Sequence, residues 1–321
     1  MAAGSGVVRE AAARGTAARA WGRALLGGAV MAGALGTGNA LGGPLARTLG
    51  AEGYARQLLS AVVVSALAVP VVLWWRVGRP AGRPPGLGPP AAAPRAFFRG
   101  VAVTLSCAVA VLGAGTALGW LRWSAPDPAA LTSFLAGNAL VAVLLEALPE
   151  EVTLRGHVWV SLRDRFGGVL SALGTTAVFL LVPGASTVVR AGVSRVVGVA
   201  APPVGFAPTG QDPVGYAVLL CVFGLTLLAA RTAPGPAPLW TAIGTHLVFL
   251  SVNRVVFEGA ARGAGWSARA GTDHLAALVL GYLVATAMIF VGMRVVSARG
   301  TGRGRSRPEG DGAPFVRNGN S

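Results

Sequence analysis

The stretch AALTSFLAGNALVAVLLEALPEEVTLRG, residues 129–156, joins an apolar segment of membrane length to a cluster of charged side chains. Its first 20 residues are enough for an α-helix to cross about 30 Å of hydrocarbon. Glu150, Glu151 and Arg155 follow directly, and ionisable groups at membrane depth usually mark a functional site. The stretch therefore predicts both a membrane span and the place where chemistry would occur.

The whole chain has the composition of a membrane protein. Of its 321 residues, 53% are hydrophobic and 12% are charged, which is about half the charged fraction of a soluble domain. Recurring apolar runs of membrane length predict an all-α, polytopic transmembrane helix bundle of about eight spans. The predicted spans are residues 24–41, 58–75, 101–121, 129–148, 168–187, 214–230, 239–257 and 274–296.

Three segments make up the predicted domain organisation. A flexible, Arg-rich N-terminus (1–23) precedes a membrane domain (24–296), and a disordered Arg/Gly-rich tail (297–321) follows it. The charged start and first apolar run would also fit a cleaved secretory signal, but the run continues and more spans follow, which favours a first span. Pro149 is expected to end the fourth span.

The net charge of +15 comes from 27 basic residues, all of them Arg. These Arg lie in short segments between apolar runs, as the positive-inside rule and anionic lipid headgroups explain, so we expect the lipid bilayer as partner and no nucleic acid. If the N-terminus is cytoplasmic, 19 of the 27 fall on the inner side. This asymmetry predicts cytoplasmic termini, a cytoplasmic linker at 79–94, and Glu150 and Glu151 at the cytoplasmic edge.

The charged cluster has the spacing of a general-base site. On a helix, Glu151 and Arg155 are four residues apart and can pair, whereas Glu150 points about 100° away and stays free to take a proton. An ordinary salt bridge at a helix end would use the same spacing. Cys107 and Cys221 form no CxxC pattern, so the chemistry must come from carboxylate, imidazole, amide and guanidinium groups.

Further polar residues lie within the predicted spans. His246 is about 12 Å into its span, where it needs a polar partner or a water-filled cavity, and Asn253 lies two turns further along. A helix–helix hydrogen bond is the alternative for His246. Glu146 precedes Glu150 by four residues, so repulsion predicts that one of the two is protonated or metal-bound.

Three other polar side chains are weaker candidates. Asn138 is expected to hydrogen-bond a neighbouring helix. His157 lies seven residues after Glu150 and could add to its cluster or be an interfacial histidine, and His274 would be a solvated cap at the start of the last span.

The sequence at residues 149–156, PEEVTLRG, resembles the first motif, EExxxR followed by Gly, of the CAAX protease and bacteriocin-processing (CPBP) family of intramembrane metalloproteases, which includes type II CAAX prenyl endopeptidases. The sequence at 239–246, LWTAIGTH, resembles the third motif of that family, which continues as HxxxN. The motifs occur in the family's order, and the resemblance covers residues 131–257.

This resemblance implies a conical active site that opens to the cytoplasmic side of a bacterial cell membrane. Glu150 would activate water, Glu151 and Arg155 would hold its geometry, and His246 would stabilise the oxyanion or bind a divalent metal such as zinc together with Glu150. Asn253 would take the place of the motif's Asn. The substrate would be a membrane-anchored or prenylated peptide or protein, as in CAAX-box protein processing.

Two departures from the family pattern leave the enzyme assignment open. The middle motif FxxxH has its best counterpart in Phe179 to Pro183, with Pro in place of His, and the third motif has Leu250 where Asn is expected, with Asn253 three residues later. A catalytically impaired relative that binds a membrane partner is therefore the alternative. A small-solute transporter should show paired interrupted spans, and the sequence shows no such symmetry.

Overall fold

The computed structural model describes residues 3–77 and 84–303, and the side chains of 16–75, 84–271 and 274–299. The predicted all-α fold is confirmed for this part of the chain. Its helices are α1 Ala3–Leu49, α2 Gly53–Val77, α3 Ala93–Ala117, α4 Pro128–Arg163, α5 Gly168–Val196, α6 Pro213–Arg231, α7 Pro238–Phe257, the one-turn α8 Gly259–Arg262, and α9 Thr272–Arg303. Two short strands, β1 Arg122–Trp123 and β2 Ala268–Arg269, pair in antiparallel fashion.

Eight helices in the described part of the chain are long and apolar enough to cross a membrane, and they coincide with the eight predicted spans. Several are longer than predicted. Helix α1 begins at Ala3, so the described part of the segment 1–23 is helical and not irregular. Helix α9 continues to Arg303, which makes the first residues of the predicted tail helical, and residues 304–321 lie outside the described residues.

The prediction that Pro149 ends the fourth span is wrong, because α4 continues through it to Arg163. Two wider π-helical segments flank the proline, Val143–Ala147 before it and Glu151–Val158 after it. A proline in a regular helix loses one hydrogen bond and clashes with the carbonyl four residues earlier. A π turn moves the bonding to the carbonyl five residues earlier, so the helix absorbs the proline without ending.

Side-chain caps and prolines fix where several helices begin. The carboxylate of Asp127 accepts hydrogen bonds from the backbone of Ala129 and Ala130 at the start of α4. The carboxylate of Asp212 accepts a hydrogen bond from the backbone N–H of Gly215 at the start of α6. A proline occupies the first position of α4, α6 and α7, where its missing N–H costs nothing. The sequence therefore sets the level at which each helix begins.

Consecutive spans run in opposite directions, so the bundle has two distinct ends. At the end that we call the arginine end, Arg23 lies 4.0 Å from Asp164 and Arg231 donates to the carbonyl of Pro85 at 3.0 Å. The opposite, ribbon end carries β1 and β2 and the loop 197–212 between α5 and α6. Eight crossings would place both ends of the described chain on the arginine side.

Glycines allow the closest helix contacts, as is common between membrane helices. Helix α3 packs along α7. A Cβ atom on Gly100 would lie 2.1 Å from the carbonyl oxygen of Thr241, and one on Gly244 would lie 2.3 Å from that of Phe97. The two backbones therefore touch at positions where only glycine fits, and this contact fixes α7, which carries His246.

The replacement Gly100→Leu is expected to lower the free energy of unfolding by about 1–3 kcal/mol, because the backbone of α7 must move to admit the side chain. Gly292→Leu on α9 is the matched control, since its Cβ would meet nothing within 4 Å. Thermal unfolding of the purified protein in detergent measures both. Equal midpoints for the two variants would contradict the close contact.

Candidate active site

Glu151 forms the centre of a buried polar cluster between α4 and α7. Its Oε1 accepts from Nη1 of Arg155 at 3.2 Å and lies 3.0 Å from Nδ1 of His246. All three side chains are almost completely buried. The predicted pairing of Glu151 with Arg155 is therefore present, and His246 shares the same carboxylate oxygen. This carboxylate fixes the ring of the histidine relative to α4.

Arg155 ties the cluster to two further helices. Its guanidinium lies 4.8 Å from the ring centre of Phe179 on α5, a cation–π distance. Nη2 also donates to the carbonyl of Gly224 on α6 at 3.5 Å. The backbone oxygen of Arg155 in turn accepts from Nε of Arg231 at 3.4 Å. Arg155 thus has a structural role that extends well beyond its pair with Glu151.

Glu150 points away from this cluster into a cavity of about 400 Å³. Within the described part of the chain it has no hydrogen bond or ion pair, and 8% of its surface is exposed. Glu146, Pro183 and His246 line the same cavity. Glu150 and His246 therefore border one cavity. A nearly buried carboxylate without a polar partner is costly, and such residues cluster at functional sites.

The candidate amides Asn253 and Asn138 do not line this cavity. Nδ2 of Asn253 donates to the hydroxyl of Tyr282 and to the carbonyl of Phe249, both at 2.7 Å. Asn138 donates to Ser251 at 3.2 Å, which is the helix–helix bond predicted for it. Asn39 of α1 is the amide that borders the cavity instead. The structure therefore does not bring Asn253 together with Glu150 and His246.

Glu146 is paired with Arg254, a partner that was not predicted from the sequence. It accepts a hydrogen bond from Arg254, whose other terminal nitrogen donates to Asn138 at 3.0 Å. Repulsion was expected to leave one of Glu146 and Glu150 protonated or metal-bound, and Arg254 offsets the charge of Glu146. An Arg inside the seventh span was the available signal, because such residues need a partner at membrane depth.

His157 and His274 do not join the site. Nε2 of His157 lies 3.2 Å from the backbone oxygen of Arg23, and its ring packs near Trp75. His157 is buried near the arginine end and is not part of the Glu150 cluster. His274 is exposed at the ribbon end and stacks on Trp120.

Three π-helical segments occur on the two helices that carry the site. Val143–Ala147 and Glu151–Val158 surround Glu150 on α4, and Asn253–Phe257 ends α7. Each replaces the usual bond by one to the carbonyl five residues earlier, as between the N–H of Leu148 and the carbonyl of Val143. Isolated π turns are frequent at functional sites. Here they change which side chains of α4 face the cavity.

The donor set does not fit the divalent metal that the resemblance implies. A catalytic zinc ion usually has three protein ligands. Among the described residues, no group of three or more His, Cys, Asp or Glu side chains is placed to hold a metal ion. Nδ1 of His246 is directed to Glu151, and Glu146 is paired with Arg254. Pro183, whose side chain cannot bind a metal ion, lines the cavity on α5. The predicted metal ligands Glu150 and His246 therefore lack a third partner.

The cavity extends from Glu150 towards the ribbon end. Its walls include Thr187, the loop segment 205–208 and Tyr216, all on the ribbon side of Glu150. Thr187 exchanges hydrogen bonds with the backbone of Gly205, which holds the loop over the cavity. Glu150 lies 13 residues before Arg163, or about 20 Å from the arginine end. Glu150 is therefore well inside helix α4 and not at its end.

Comparison of the chain with protein-family models, with curated proteins and with solved structures found no match.

Proposed function

We propose that the protein is an intramembrane endopeptidase in which Glu150 is the general base. The proposal rests on the different surroundings of two adjacent carboxylates. Glu151 is bound by Arg155 and His246, whereas Glu150 faces the cavity without a polar partner in the described part of the chain. The resemblance of the two motifs to the CPBP family supports the same assignment of roles.

In the proposed mechanism, a water molecule in the cavity attacks the peptide carbonyl while Glu150 accepts its proton. The proton can then pass from Glu150 to the leaving amine. His246 keeps one ring nitrogen on Glu151, and its ring also borders the cavity. A protonated His246 can donate from the other nitrogen to the developing oxyanion. No step requires a metal ion.

The proposed substrate is a membrane-anchored peptide, because the cavity is enclosed by membrane-spanning helices and has largely apolar walls. Its scissile bond would lie towards the ribbon end, where the cavity walls reach the loop 197–212. Purified protein in vesicles, incubated with peptides anchored on either leaflet, tests this. Cleavage of peptides presented only at the ribbon end is the expected result, and cleavage only at the arginine end would overturn it.

A second candidate function is binding without turnover. Pro183 lines the cavity at the position where the CPBP middle motif has a histidine. A prolyl side chain can neither bind a metal nor transfer a proton. A family member with proline at this position would therefore hold a peptide and not cleave it. Retention of anchored peptides by well-folded protein, without product, would favour this function.

We also propose that the arginine end and both termini face the cytoplasm, because most Arg lie on that side. Thr209→Cys in the ribbon-end loop should react with a membrane-impermeant maleimide on intact cells, and Arg165→Cys at the arginine end should not. Unmodified protein is the control, since Cys107 and Cys221 lie within spans. The opposite labelling pattern would invert this topology, and the cavity would then open to the cytoplasm.

A further inference from the structure

A second, apolar cavity of about 510 Å³ lies between α3, α4 and α7 at the ribbon end. Its walls include Leu105, Val109, Leu131, Leu135 and Val255. Two hydroxyl groups also border it, but both have protein partners. Thr116 bonds to Leu112 and to the indole of Trp123, and Ser251 accepts from Asn138. The cavity therefore offers a hydrocarbon surface to its occupant.

Tryptophans place the mouth of this apolar cavity at the membrane–water interface. Trp123 and Trp266 both line it, and their rings stack with centroids 4.4 Å apart. Trp120, nearby in sequence, stacks on His274 at the same end. Trp is enriched where headgroups meet hydrocarbon. The cavity consequently begins at headgroup level and extends into the acyl region of one leaflet.

Two arginines at the same level face each other without a counter-ion. Arg122 of β1 and Arg269 of β2 are directly opposite partners in the antiparallel ribbon. Opposite residues project to one face, and like charges in this arrangement are destabilising. Both side chains are exposed, and neither has a carboxylate or hydrogen-bond partner among the described residues. An anion between the two guanidinium groups would remove this repulsion.

We propose that the ribbon and the apolar cavity together bind one anionic phospholipid. The phosphate lies between Arg122 and Arg269, and an acyl chain enters the cavity below Trp123 and Trp266. Strand alternation directs Arg122 and Arg269 to the face of the ribbon opposite Trp123, so in this proposal their long side chains extend around the two-stranded ribbon to the headgroup. The occupant is a lipid and not a free phosphate, because Trp123, the neighbour of Arg122 in β1, lines the apolar cavity. This site is separate from the Glu150 cavity and does not depend on proteolysis.

Native mass spectrometry of the full chain, released from detergent after titration with phosphatidylglycerol or phosphatidylcholine, tests the proposal. Phosphatidylglycerol should be retained preferentially. The double replacement of Arg122→Gln and Arg269→Gln should weaken phosphatidylglycerol binding by about 30-fold, as expected for two interfacial arginines, and abolish the preference. Equal binding of the two lipids by unmodified protein would overturn the proposal.

The acyl part of the site is tested by filling the cavity. Gly113 lines it, and Gly113→Leu places a side chain in open space, so binding of phosphatidylglycerol should fall about tenfold or more. Gly292→Leu on α9 is the matched control, because its Cβ is equally free and lies outside this cavity. Unchanged binding by Gly113→Leu would overturn the proposal.

Photo-crosslinking gives a result that does not depend on any variant. Phosphatidylglycerol with a photoreactive acyl chain should label peptides of α3 and α7 in unmodified protein. Labelling confined to other helices would exclude this cavity as the binding site.

Discussion

Replacing Glu150 with glutamine is expected to reduce peptide cleavage to the background rate, a loss of about 10²–10⁴-fold or more. Glutamine nearly preserves the shape of glutamate but cannot accept a proton from water. Because Glu150 has no polar partner among the described residues, the change removes no hydrogen bond. It also removes a nearly buried carboxylate, which is costly to keep ionised. The variant should therefore unfold at the same temperature as the unmodified protein or at a higher one.

Glu258→Gln is the matched control for this experiment, because Glu258 is an exposed carboxylate paired with Arg262, remote from the cavity. Cleavage is measured with membrane-anchored peptides and purified protein in detergent, and stability by thermal unfolding. Equal turnover by Glu150→Gln and the unmodified protein would mean that the base is another residue. Absence of turnover in both, with normal unfolding, would favour binding without cleavage.

The fold could be predicted from the sequence because each span is a local feature. About 20 apolar residues in a row require a helix in a bilayer, whatever the rest of the chain does. Predictions of helix ends were wrong where tertiary structure overrode a local sequence preference. Pro149 does not end α4, because the preceding π turn accommodates its ring. The residues flanking the predicted spans are helical in α1 and α9, although their polarity suggested irregular structure.

The candidate site was predictable only where residues lie close in sequence. The Glu151–Arg155 pair follows from helix periodicity, and a buried His246 needs a polar neighbour. Partners on other helices depend on the packing, so the sequence did not indicate that Arg254 pairs with Glu146 or that Asn39 borders the cavity. Asn253 has the right spacing from His246 but borders α9, where it meets Tyr282. A shared helix face therefore does not guarantee a shared cavity.

Removing Arg155 is expected to be the most destabilising single change at the site. Arg155→Met leaves the completely buried Glu151 with His246 as its remaining partner among the described residues and removes the contacts with Phe179 and Gly224. Loss of one partner of a buried ion pair costs about 3–5 kcal/mol, since the other charge stays buried. Activity should fall with stability, because Glu151 orients His246.

Two further variants separate lost charge pairing from lost packing. The double variant Glu151→Gln/Arg155→Met leaves no buried charge without a partner, and the amide oxygen of the glutamine can still accept a hydrogen bond from His246. Most of the stability lost in Arg155→Met should therefore return. Arg262→Met breaks a pair of the same spacing, but Arg262 and Glu258 are 44% and 46% exposed. That pair should contribute less than about 1 kcal/mol. If the buried and exposed variants unfold at the same temperature, Arg155 does not stabilise the site through its charge. If the double variant is no more stable than Arg155→Met, packing of the guanidinium between α5 and α6 is its main role.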